Sequence, residues 1–211
     1  MVKIKIGDKS YDFPETFSEL KLGRWIKANS LATGESDDIT KNVALVSAIA
    51  GIPEDDLLDL PVTEFVKIQE LATALADLKP GKPSFELEIA GIKYGLATEI
   101  SKMSTAEYID LDTIVTDKES LSSNLATVMA ILYRPLGKDG KPERYRSQDV
   151  EARAAIFYDE MPCSAVFSAL SFSYAVAQAS LDSGKDYLAR RREITKNASA
   201  TTAKKRNAKR K

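Results

Sequence analysis

The chain has no histidine, one cysteine, one tryptophan and no long apolar run. Without histidine there is no Ser-His-Asp triad, no Cys-His pair and no histidine-based metal site. A single cysteine, Cys163, excludes an intramolecular disulfide and fits a reducing compartment. Cys163 follows a proline within an apolar run and reads as a small buried hydrophobe, not a nucleophile. No stretch approaches ~18 uninterrupted apolar residues, so no transmembrane helix is expected. The opening "MVKIKIGDKSYDF" alternates in character without an apolar core and does not read as a secretory signal. The Walker-type glycine loop, GxGxxG and GxSxG are also missing. These absences point away from an enzyme, and neither a cofactor nor a metal is expected.

What is present fits a soluble globular protein: 211 residues, 44% hydrophobic and 29% charged, enough for one large or two small domains. The near-neutral net charge of −1 conceals a dipolar chain. Ten basic residues and one acid, Glu193, fall between Ala189 and Lys211. Taking these from the totals of 30 basic and 31 acidic residues leaves 20 and 30 upstream, a body near −10 and a tail near +9.

The sequence says similar things twice. "IKIGDKSY" (Ile4 to Tyr11) and "LEIAGIKY" (Leu87 to Tyr94) both alternate around a turn, Gly7-Asp8 or Ala90-Gly91, and their tyrosines are 83 residues apart. Each predicts a β-hairpin, with Ile4 and Ile6 or Leu87 and Ile89 on one face. The same offset pairs Leu20 with Met103, Trp25 with Tyr108 and Ile26 with Ile109. "NVALVSAIAGIP" (Asn42 to Pro53) matches "NLATVMAILYRP" (Asn124 to Pro135) at an offset of 82, each a helix that stops at a proline. "DLPVTEFVKI" resembles "EMPCSAVFSA" at an offset of 101, which places an insert near 136–154 around the polar "GKDGKPERYRS". The expected fold is therefore α+β and mainly helical, from an internal duplication. A first hairpin-helical unit occupies 1–78, a linker 79–83 and a second unit 84–188, each a hairpin followed by about three helices. A disordered basic tail spans 189–211.

Acidic clusters take structural readings. Asp37 and Asp38 suit the cap and first turn of a helix starting near Ile39, and Glu54, Asp55 and Asp56 suit a helix start after Pro53. Asp110 and Asp112 are two apart and fall on different faces of a helix, unlike a paired-carboxylate site. Arg134 stands at the end of the most apolar helix, where a cation complements the helix dipole, although its first-unit counterpart is Ile52. Arg144, Tyr145 and Arg146 lie in the insert, where capping and loop solvation compete with a partner contact. The helix from Ser164 to Leu181 is apolar on most of its surface and is either central or covered by a partner. For the tail, three readings stand side by side. Lys204, Lys205, Arg206, Lys209, Arg210 and Lys211 contact nucleic-acid phosphates, or an acidic protein surface, or water alone. No aromatic residue is interleaved among them, which argues against base-specific recognition.

The helix ending "AILYRP", preceded by "STAEYIDLD" and followed by "FYDEMPCSAVFSALSF", resembles a group of small tailed-bacteriophage proteins of tail and virion assembly. "GIPEDDLLDLP" resembles the same group. Its members are tail assembly chaperones or tail and baseplate structural proteins. The resemblance spans roughly Lys3 to Leu181 and rests on apolar motifs. It implies a non-enzymatic protein that binds other phage tail or virion proteins through apolar helical surfaces, in the host cytoplasm during assembly and with no membrane role. Leu125, Met129, Leu132, Arg134, Phe167 and Phe172 are the candidate contacts. The alternative it implies is a stable component of the virion, in tail, baseplate or neck. A basic-armed nucleic-acid-binding protein is the third reading.

Overall fold

In a computed structural model of the protein, residues 1–32, 39–76, 84–97, 103–116 and 121–170 are described. All of them belong to one compact unit, Met1–Ser171. The fold is α+β and mainly helical. Phe172, the tail lysines and arginines, Asp37, Asp38 and the 79–83 linker lie outside the described residues.

Strands β1 (Val2–Ile6) and β2 (Lys9–Phe13) pair antiparallel with Ile4 opposite Tyr11. Strands β3 (Glu86–Ile89) and β4 (Ile92–Leu96) pair likewise with Leu87 opposite Tyr94. Ile6 and Ile89 point into apolar surroundings while alternate residues face water, as the two-residue period requires. Ala90 adopts φ +50° and Gly91 φ +75°, the left-handed pair that a tight hairpin turn demands.

Helix α1 spans Leu22–Ala32, α2 Ile39–Ala50, α3 Glu54–Leu58 and α4 Val62–Ala76. The first hairpin and these helices bury one cluster that includes Phe13, Leu20, Val46, Ile52, Leu57 and Phe65. Pro53 sits at the N-cap of α3, and Glu54, Asp55 and Asp56 occupy its first turn, as expected. Asp56 also accepts hydrogen bonds from Lys9 Nζ and Tyr11 Oη, which ties α3 to the first hairpin. Those two bonds hold its carboxyl below the usual carboxylate range. Helix α2 does not run to the proline. It ends at Ala50; Gly51 N still donates to Ser47 O at 2.8 Å, and the Gly51 φ of +69° then turns the chain out of the helix.

Helix α5 covers Thr105–Thr116 and α6 covers Leu125–Leu132. The order hairpin, helix, helix therefore recurs near the offsets read from the sequence. The halves then part, so the structure does not show the two to be equivalent. After α6 the chain forms β5 (Tyr133–Pro135), which adds to β4 as a third strand with Arg134 opposite Gly95. After α2 no strand follows; the chain enters α3 instead. The 136–154 segment is also not loop throughout. It turns at Gly137–Lys141, passes a short 3₁₀ turn at Ser147–Asp149, and becomes helix α7 (Val150–Glu160).

Residues 163–170 are helical as well. Their entry is stitched to the start of α1: Leu22 N donates to Met161 O at 2.8 Å, and Cys163 N donates to Leu20 O at 2.9 Å. Cys163 thus joins the cluster built by the first hairpin and its helices. The Phe167 ring packs on Phe17 and Trp25 at 5.1 and 5.0 Å.

Burial pushes the Cys163 thiol up to about 12, and Tyr133 and Tyr145 likewise to about 12, Tyr145 with added help from Asp110. Each group must stay neutral in the folded chain while its unfolded counterpart ionises from near pH 9 to 10. Above that pH the unfolded state binds fewer protons, so stability falls as pH rises toward 12. A melting temperature that holds between neutrality and pH 8, then declines steeply above about 9, is expected. In Cys163→Ala the decline begins later, near the tyrosine range. A flat profile to pH 11 in the parent protein contradicts the assigned burial.

Candidate functional site

Helix α6 is the most enclosed element of the described fold. Every one of its residues except Thr127 is buried, and α5, α7, α1 and β5 pack around it. Leu125, Met129 and Leu132, expected on a partner-binding face, are interior instead. The physical reason is that an eight-residue helix apolar on every side is covered most cheaply by its own chain. Phe167 is half-buried against the two aromatic rings named above. Phe172 lies beyond the described residues.

Arg134 does not cap α6. The helix ends two residues earlier, and Arg134 rides on β5 with its guanidinium toward Glu107, Nη2 to Oε1 at 3.7 Å. Glu107 is 1% exposed, yet its Oε1 and the Arg134 Nε find no hydrogen-bond partner among the described residues. The other carboxylate oxygen belongs to a reciprocal cap at the start of α5. Ser104 N donates to Glu107 Oε2 at 3.4 Å, and Glu107 N donates to Ser104 Oγ at 3.2 Å. The spacing Ser104-x-x-Glu107 is the sequence signature of this cap.

The cation that does serve the end of α6 is Arg153, on α7. Its Nη1 donates to Ala130 O at 2.5 Å and to Tyr133 O at 3.5 Å. Burial lowers its affinity for the proton, as expected of a guanidinium held 8% exposed. Asp110 and Asp112 do diverge on α5. Asp110 accepts from Tyr145 Oη at 2.5 Å and Ser147 Oγ at 2.7 Å, while Asp112 faces solvent. Tyr145 therefore anchors the inserted segment and is buried, while Arg144 and Arg146 are exposed.

With α6 interior, α5 is one of the helices that turn apolar side chains outward. Its single buried side chain is the charged Glu107. Tyr108, Ile109 and Val115 are 56%, 55% and 46% exposed. Tyr108, Leu111 and Val115 follow three- and four-residue spacing and so form one stripe along the helix. This inverts the usual arrangement, in which a surface helix turns its apolar stripe inward. On α4, Val62 and Val66 are also exposed, one turn apart.

Among the described residues, no group of three or more Cys, Asp or Glu side chains is arranged to hold a metal ion. No described helix is long and apolar enough to cross a membrane. No protein-family model, curated protein or solved structure matches the chain.

Proposed function

We propose that this chain is a non-enzymatic assembly protein of a tailed bacteriophage, of the tail assembly chaperone type, that binds another phage protein through α5. The observation that carries the binding role is the apolar stripe of Tyr108, Leu111 and Val115 on a helix whose only buried side chain is a carboxylate. Exposed stripes of this kind pair with an apolar helix or groove of a partner. The phage setting rests on the resemblance of the "STAEYIDLD", "AILYRP" and "YDEMPCSAVF" segments.

The test is co-expression with the tape-measure protein of the same phage. The parent chain is expected to keep that protein soluble and to co-purify with it. The double substitution Tyr108→Asp with Val115→Asp is expected to reduce the co-purified amount at least about tenfold, while leaving the melting temperature close to the parent's. Undiminished co-purification removes α5 from the interface. Mass spectrometry of finished particles then separates the two assembly roles: a chaperone is absent from them, and a structural subunit is present at fixed stoichiometry.

A further inference from the structure

A second surface lies where α1, the end of α2 and the end of α7 meet. They enclose an open groove of about 590 Å³. Lys21, Arg24 and Lys27 stand on one wall at three-residue spacing, a ladder about 9 Å long at the helical rise. Asp159 is the sole acid in the lining. Two glycines set the shape. A Cβ at Gly23 would meet the Tyr158 ring at 2.5 Å and its carbonyl oxygen at 2.8 Å, so Gly23 lets α7 approach α1. A Cβ at Gly51 would meet the Arg24 guanidinium at 2.6 Å, and Arg24 Nη1 donates to Ala50 O at 3.3 Å across that space.

We infer that this groove binds an acidic peptide segment of another protein. The three cations are unequally committed. Lys21 Nζ reaches Glu160 Oε2 at 3.1 Å, an exposed pair that a ligand carboxylate can replace at little cost. Arg24 is oriented by the α2 terminus. Lys27 is exposed and its ammonium has no hydrogen-bond or ion-pair partner among the described residues, which makes it the first anchor. Ala48, Ile52 and Pro53 supply an apolar floor beside the cations. Charges on long stems, spread along an open groove with such a floor, match carboxylates spaced along a chain interleaved with apolar residues. One compact phosphate group would engage only part of the ladder. A long polyanion would in addition meet the net negative remainder of the body, 30 acids against 20 bases upstream of Ala189. The inference stands on the α1 groove and is independent of the α5 reading.

The probe is a fluorescein-labelled peptide alternating Glu and Leu, followed by fluorescence anisotropy. The protein is the full chain carrying Gln in place of all ten basic residues between Ala189 and Lys211, so that the tail cannot hold the probe. Binding is expected to persist in this chain and to weaken at least about tenfold when Lys27→Glu is added. Lys67→Glu, an equal charge change on the exposed side of α4, is expected to leave it nearly unchanged. Loss of binding with the tail substitutions alone overturns the inference. So does an equal effect of Lys67→Glu and Lys27→Glu, or none from Lys27→Glu combined with Arg24→Glu. Displacement of the peptide by tripolyphosphate or single-stranded DNA at lower concentration than by unlabelled peptide overturns the ligand class.

Discussion

Phe157→Ala is expected to cost about 3–5 kcal/mol of folding stability. Phe157 is completely buried on α7, and its ring meets Tyr94 edge-on at 4.9 Å between centroids. Its removal deletes a large apolar side chain and leaves a cavity whose walls belong to different elements, β4 and α7. Such walls cannot close without moving the sheet against the helix. Domains of this kind are stable by only about 5–15 kcal/mol, so the loss is a large fraction of the whole. In urea the midpoint should fall with the slope unchanged, and the melting temperature should drop by roughly 6–20 °C. A loss under about 1 kcal/mol would place Phe157 outside the packed interior.

Arg134→Met is expected to cost a similar amount, about 3–5 kcal/mol, for a different reason. The substitution leaves the Glu107 carboxylate, 2% exposed at the side chain, without a countercharge. An unpaired buried carboxylate is more costly than an unmade pair. The second substitution, Glu107→Met, should therefore recover most of the loss when added to Arg134→Met. A residual deficit of about 1 kcal/mol is expected from the missing reciprocal cap with Ser104. The double variant should thus be more stable than Arg134→Met alone in urea unfolding. If instead the two costs simply add, the 3.7 Å pair contributes no coupling.

The two predictions probe what the resemblance and the periodicity could not reach. Proximity in the sequence puts Arg134 at the end of α6. The fold gives the role of capping cation to Arg153, nineteen residues later and on another helix, and turns Arg134 toward α5. Likewise the apolar faces of α6 looked available for a partner. They are covered because α7, which begins inside a segment that reads as a polar loop, packs along α6. The outward stripe of α5 was harder to see. Its apolar residues look like an ordinary inward face until the neighbouring elements leave them uncovered.

Short-range pattern alone determined the two hairpins, helices near α1, α2, α5 and α6, and the acidic first turn of α3. Each depends on residues within a few positions of one another, where backbone preference and side-chain period act directly. The third strand, the roles of Arg134 and Arg153, the burial of Glu107 and the groove beside α1 were settled only in three dimensions. They arise from contacts such as Lys21 with Glu160, 139 residues apart, whose partners no local rule can pair. Which surface stays open is a property of what else packs nearby, and that is decided after the helices have formed.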